Sequence, residues 1–224
     1  MDWLDWIWPK KCVNCGRMGS YVCKNCQVGL WEEEQICPAC QRASRYGLRH
    51  KYCHVAYGLD GLTCLWAYDG AAKAIIKKAK YKYYFDKLKF LIDLIDLNNP
   101  QYFSFQKFLN TKPIVVPVPL YEKRYRERGF NQADIIGKLV ASRWSLAMTD
   151  LLRRTKETGH QAGRTREERL MAIKNAFQLR TKDQLPKAVL LVDDVWTTGA
   201  TMSECCKILK QNGAAKVWGL VLAR

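Results

Sequence analysis

The sequence contains no run approaching the ~20 apolar residues of a membrane-spanning helix, so membrane insertion is not expected. The opening segment, residues 1–8 (Met-Asp-Trp-Leu-Asp-Trp-Ile-Trp), is apolar but short and acidic. It lacks the leading basic charge and longer apolar stretch of a secretion signal, so a cytoplasmic protein is expected. Beyond residue 60 there is no low-complexity tract and no internal repeat, which excludes a solenoid or a disordered array. Cysteine is missing between Cys64 and Cys205, and acidic residues are scarce, 21 against 37 basic.

What remains is a 224-residue chain with 48% hydrophobic residues, enough for a sizeable core. The net charge of +16 is unevenly spread: residues 111–180 carry 15 basic and 7 acidic residues, whereas residues 1–60 carry 8 and 6. A basic excess in mid-chain suits a phosphate-rich small ligand or a nucleic acid. Seven of the ten cysteines lie within residues 12–53, and the pattern then changes to alternating strands and amphipathic helices. This divides the chain near residue 60, into a module over 1–60 and a larger domain over 61–224.

In the larger domain, strands are expected at 63–68, 114–118, 188–192 and 216–222. Helices are expected at 70–80, 84–97, 130–146, 165–175 and 201–212, and residues 98–112 read as a polar connection. Alternating strands and helices imply an α/β fold with a parallel sheet and right-handed crossovers.

Residues 188–204 carry the most chemistry. A continuous apolar strand ends in two carboxylates, Asp193 and Asp194, followed by the polar loop Thr197-Thr198-Gly199-Ala200-Thr201 and then a helix. Thr201-Met-Ser-Glu204 has capping-box spacing for that helix. Backbone N–H groups of such a loop and of a helix N-terminus bind phosphate, and Gly199 lets the backbone approach it closely. Adjacent carboxylates repel phosphate but accept hydrogen bonds from hydroxyls. The constellation describes a sugar with a phosphate on one side and free hydroxyls on the other.

Two further blocks are basic. Pro117-Val-Pro-Leu120 ends a strand and is followed by Arg124, Arg126, Arg128, Gly129, Phe130, Asn131 and Gln132. Arginines beside a strand end suit a diphosphate through bidentate hydrogen bonds. His160-Gln-Ala-Gly-Arg164-Thr-Arg166-Glu-Glu-Arg169 reads as either a mobile lid or an ordinary charged helix.

The cysteines come in pairs: Cys12/Cys15, Cys23/Cys26, Cys37/Cys40 and the mixed pair His50/Cys53. Each pair has two intervening residues, which points both side chains at one metal. A disulfide framework is disfavoured in a chain without a secretion signal. The simplest grouping is sequential, with one all-cysteine site and one site of three cysteines and a histidine. An interleaved cross-brace also fits the spacing. Either grouping fills all four zinc positions, so the sites are structural. Seven thiolates and two Zn²⁺ bring the net charge to about +13. Cys64, Cys205 and Cys206 read as core thiols.

The run from Val189 to Thr201 resembles the phosphoribosyl-diphosphate (PRPP) signature of type I phosphoribosyltransferases. That resemblance implies Asp193 and Asp194 on the ribose hydroxyls, Thr197, Thr198, Gly199, Ala200 and Thr201 on the 5′-phosphate, and Mg²⁺ arriving with PRPP. The whole order is a double zinc ribbon, Tyr68 before a lysine-rich helix, Pro-Val-Pro-Leu, Arg-Gly-Phe-Asn-Gln, Asn175 before Phe177, and the PRPP loop. Taken together it resembles the ComF family of bacterial competence-associated proteins. One departure is His50, where many relatives would have another cysteine.

The family implies a type I phosphoribosyltransferase-like parallel sheet flanked by helices, with an N-terminal zinc-ribbon module and a role in DNA uptake. Its implied partners are PRPP, single-stranded DNA and a competence helicase. Three functions are compatible with these residues. One is transfer to an unknown acceptor, with Arg124 and Arg128 on the leaving diphosphate. Another is non-enzymatic binding of single strands or a partner, with PRPP as ligand. The third is nucleobase salvage. Lys77, Lys78, Lys80 and Lys82, interleaved with Tyr81, Tyr83 and Tyr84, combine cations for phosphates with aromatics for bases.

Overall fold

Continuous apolar runs become strands buried on both faces, and amphipathic stretches become the helices that cover them. The computed structural model describes residues 10–79, 85–157, 171–181 and 183–224. In chain order the elements begin with a short helix α1 (Lys24–Gln27), strand β1 (Gly61–Trp66), and helices α2 (Gly70–Lys78) and α3 (Phe85–Asp93). Next come helix α4 (Phe103–Leu109), strand β2 (Ile114–Pro117), and helices α5 (Glu122–Arg128) and α6 (Gln132–Trp144). The rest is β3 (Leu152–Arg154), β4 (Phe177–Leu179), β5 (Ala188–Val195), α7 (Ala200–Gln211) and β6 (Lys216–Ala223).

Four strands form one sheet in the order β1-β6-β5-β2, every pairing parallel. Strands β3 and β4 form a separate antiparallel pair. The two-residue period of the strands divides the core. Leu190 and Val192 of β5, with Trp218, Leu220 and Leu222 of β6, pack with Ile75, Leu88, Ile92, Phe105, Ile136 and Val140. Val189 and Leu191, with Val217 and Val221, pack on the opposite face with Cys205, Cys206, Leu209 and Phe177. Cys64, Cys205 and Cys206 are fully buried, as core thiols should be.

Both outer edges of the sheet are covered. Along β1, Ala67 N donates to Trp31 O at 2.9 Å and Glu33 N to Leu65 O at 3.2 Å. The buried Gln35 amide completes that edge: Nε2 donates to Cys64 O at 2.8 Å, and Cys64 N donates to Oε1 at 3.1 Å. Along β2, Val115 N donates to Ala147 O at 2.8 Å and Thr149 N to Val115 O at 3.0 Å. The cysteine-rich segment straddles the β1 edge, with Val13 and Val22 in one face's core and Ile36 in the other's.

The structure departs from the sequence reading in places. Residues 98–112 contain a short 3-10 turn (Pro100–Tyr102) and α4 rather than a plain connection. Asn99 caps the turn by accepting from Gln101 N at 3.2 Å, and Phe105, Phe108 and Leu109 are buried. Residues 122–128 are helical, and the β3–β4 pair has no counterpart in the sequence reading. Among the described residues, no helix is long and apolar enough to cross a membrane.

Candidate functional site

Strand β5 runs to Val195, so both carboxylates lie within its last residues rather than beyond it. The chain then folds under its own indole. Gly199 has φ +73°, and a Cβ there would sit 2.2 Å from the Trp196 ring. Only glycine fits that position without moving the ring, and φ in this range is strained for other residues. Thr198 Oγ1 accepts from Ala200 N at 3.4 Å, and α7 starts with Gly199 as its N-cap. The capping box does not form, because the helix starts two residues earlier than that spacing implies and Thr201 lies within its first turn; Glu204 Oε1 instead accepts from Asn175 N at 2.8 Å. Thr197 is exposed, Thr198 and Thr201 are half-buried, and Gly199 and Ala200 are buried. Gly199→Ala is expected to destabilise the chain by about 1–3 kcal/mol, from backbone strain and the ring clash. Chemical denaturation reads that loss, and an unshifted midpoint would contradict the tight loop.

The two acids occupy a strand end, where successive side chains start from opposite faces. Asp193 is felt by Arg154 and by the Cys205 thiol, on the α7 side. Asp194 acts on Tyr68, on the other side, where burial and then the Asp194 charge raise the phenol. The carboxyls nonetheless interact. Burial pushes Asp193 well above the usual carboxylate range and the Asp194 charge pushes it further, against the opposing pull of Asp194 N–H and Arg154. Part of the Asp193 residue reaches solvent, but its carboxyl group is enclosed. Asp194 N donates to Asp193 Oδ1 at 2.9 Å, and Val195 N to Asp194 Oδ1 at 2.7 Å.

Arg154, on β3, joins the site without a sequence signal of its own. Burial, then the neighbouring Arg124 charge, lower its guanidinium, while Cys205 and Asp193 act the other way. It therefore links the acid pair to α5. Arg124 and Arg128 are both half-buried on α5. The rest of the Arg-Gly-Phe-Asn-Gln block builds the corner between α5 and α6. Gly129, at φ +77°, ends α5. Asn131 caps α6, accepting from Ala133 N at 3.2 Å and donating to Val118 O at 2.9 Å. Gln132 is buried and donates to Ile76 O at 3.2 Å, and Phe130 meets Phe85 edge-on at 5.3 Å. A cleft of about 460 Å³ opens beside this corner, lined among others by Pro117, Leu120, Tyr125, Asp150, Arg154 and Arg180. Arg154, in its lining, also feels the Asp193 charge.

The cysteine pairs gather as two sequential clusters, not as a cross-brace. Cys12, Cys15, Cys23 and Cys26 form one and Cys37, Cys40, His50 and Cys53 the other, with ligand atoms within 4.8 Å of one another. A tetrahedral zinc with Zn–S of about 2.3 Å holds its sulfurs about 3.8 Å apart, and Cys15 and Cys23 stand 3.6 Å apart. Cys40 Sγ lies 3.4 Å from His50 Nδ1, while His50 Nε2 lies 3.1 Å from Ala43 O, an arrangement that leaves Nδ1 as the ligand atom. Backbone N–H groups of Cys23 and His50 point at Cys12 and Cys37 sulfurs, at 3.5 and 3.4 Å. Burial pushes the Cys12 thiol up, but N–H groups of Cys15, Cys23 and Asn14 outweigh it and bring it to about 6. The donor sets fit two structural Zn²⁺ with no open position.

Of the lysine series, Lys77 is exposed at the end of α2, and Lys78 Nζ donates to Val13 O at 2.9 Å, tying the helix to the first ribbon. Lys80, Lys82, Tyr81, Tyr83 and Tyr84 lie outside the described residues, as does the block from His160 to Arg169.

A family model described as a double zinc ribbon domain matches residues 3–56. Competence protein F of Haemophilus influenzae is 41% identical over 115 residues, covering 49% of this chain and 50% of that protein. DNA utilization protein YhgH of Escherichia coli strain K12 is 39% identical over 110 residues, covering 47% and 48%. These matches span about half the length of either relative. Competence protein ComFC of Streptococcus pneumoniae is 27% identical over 219 residues, covering 97% of this chain and 82% of that protein. With two zinc-ribbon clusters seated on a parallel α/β sheet, the chain is similar to competence and DNA-utilization proteins of the ComF type, over about half of its length at 39–41% identity and over nearly all of it at 27%.

Proposed function

We propose that the chain binds PRPP with Mg²⁺ at the end of β5 and works in competence and DNA utilisation, in the cytoplasm, where thiols stay reduced for zinc. On this reading residues 61–224 are a phosphoribosyltransferase-like domain and residues 1–60 its ribbon module. The observation that carries it is the loop itself: an acid pair at a strand end, then a turn so tight that Gly199 lies under Trp196, then the N-terminus of α7. Such a turn presents backbone donors to a phosphate, and the acids accept from ribose hydroxyls. Mg²⁺ would enter with the diphosphate and neutralise it. Arg124 and Arg128 would offset the charge that develops on the departing diphosphate as a nucleophile takes its place. Free nucleobases are among the acceptors to be screened for PRPP-dependent product.

A second reading, single-strand binding, draws on Tyr21, which has Lys10 and Lys87 at 5.7 and 4.8 Å from its ring centre. Cations over an aromatic, with Lys78 close enough to act on Lys87, make a surface suited to phosphates and bases.

Calorimetric titration of Mg²⁺-PRPP into zinc-loaded protein, beside an Asp193→Asn, Asp194→Asn variant, tests the first reading. Saturable binding to the parent, lost in the variant, is expected. If neither protein binds PRPP while an oligonucleotide binds with steep salt dependence, the second reading takes its place.

A further inference from the structure

The two ligands of the third cysteine pair enclose a turn that closes when Gln41 N donates to Cys37 O at 2.9 Å, with Gln41 itself at φ +62°. The Gln41 side chain leaves the ribbon. Its Nε2 donates to Thr198 O at 2.8 Å, across 157 residues of sequence. We infer that Gln41 is a positioning residue for the 197–201 loop, and that it couples the second zinc site to the phosphate-binding turn. The phosphate role of the turn rests on the reading above; the hold of Gln41 on it does not.

One peptide unit, Thr198–Gly199, decides what the turn presents. In a trans peptide the C=O and the following N–H point opposite ways. With the Thr198 carbonyl drawn toward the ribbon, the Gly199 N–H is turned away from it. A glycine at positive φ flips its peptide at little steric cost, and the flipped unit would offer carbonyl lone pairs where an anion needs a donor. The hydrogen bond from the Gln41 amide opposes this flip. Because Gln41 follows the ligand Cys40 directly, its reach depends on the metal-closed turn. The link also works in reverse: a ligand that fixes the loop should tighten zinc binding at the second cluster by the same factor.

Gln41→Ala and Gln41→Glu separate these steps, since both lose the donor and the second keeps the length. In ligand-free, zinc-loaded protein, amide hydrogen exchange over residues 196–201 is expected to quicken in both variants, with two zinc per chain retained. Mg²⁺-PRPP affinity is expected to fall about fivefold, the scale of one hydrogen bond. Exchange and affinity both equal to the parent's would overturn the positioning role. A parent that fails to bind PRPP sinks the proposed function, yet the exchange measurement still decides what Gln41 does.

Discussion

Chelation of both zinc ions from the intact chain is expected to lower its melting temperature by about 10 °C or more and to bring on aggregation. Structural zinc is worth on the order of 10 kcal/mol at neutral pH in ribbon-like sites. Each kcal/mol moves the midpoint of a chain this size by about 2–4 °C. The module has little else to hold it: Val13, Val22 and Ile36 are among the few of its apolar side chains that join the main cores. Its loss would not stop at the module. The strand-like contacts from Trp31 and Glu33, and the Gln35 amide against Cys64, all come from it. Without them β1 presents unpaired backbone groups along one side, which is a template for intermolecular pairing. Zinc content by mass spectrometry, thermal unfolding and light scattering on the same samples measure the effect. An unchanged midpoint after loss of two zinc per chain would mean that the module folds without metal.

Asp193→Asn is expected to weaken Mg²⁺-PRPP binding by about 10- to 100-fold, the scale of a lost hydrogen bond to a charged group. The same change should leave the ligand-free protein at least as stable above neutral pH. The enclosed carboxyl of Asp193 sits beside Asp194, so its folded-state pKa is raised. A raised acid contributes stability below its unfolded value, near pH 4, and loses it as pH climbs toward the folded value. The variant lacks that slope, so its advantage over the parent should widen as pH climbs from the unfolded value toward the raised folded one. Asp194→Asn should shrink the slope as well, by removing the repulsion. Denaturant midpoints across that pH range decide the matter. Parallel curves for parent and variant would show that Asp193 ionises freely in the fold. An acid pair that costs stability yet tightens a ligand is the expected signature of a binding site.

The parts of this site that are legible in sequence are local. Asp193, Asp194 and Gly199 sit within one strand-loop-helix unit, so their order in the chain is their order in space. Each cysteine pair is legible for the same reason, and sequential clustering follows from proximity. Arg154 and Gln41 are not legible, because they arrive from other elements and no periodicity marks them. The capping box shows the opposite error. Its spacing is real but out of register: the tight turn lets the helix start at Ala200, with Gly199 as N-cap, so Thr201 is already helical and Glu204 is left to take the Asn175 N–H. Helix α4 is hidden because its apolar positions follow a proline turn in a polar stretch. The Arg-Gly-Phe-Asn-Gln block looks like ligand chemistry, yet Gly129, Asn131 and Gln132 build a corner.

The strand order has a kinetic consequence. β6 is inserted between β1 and β5, and Trp218 Nε1 reaches Thr63 Oγ1 across 155 residues of sequence. During synthesis β1 therefore waits for its sheet neighbour until almost all of these residues have left the ribosome. Contacts of such separation form slowly, and an unpaired strand is exposed to misassembly in the interval. The segment that lines the far side of β1 emerges before it, and its metal ligands are close together in sequence. A ribbon already closed at that stage would shield one edge of the first strand while the other stays open for the strand that completes it.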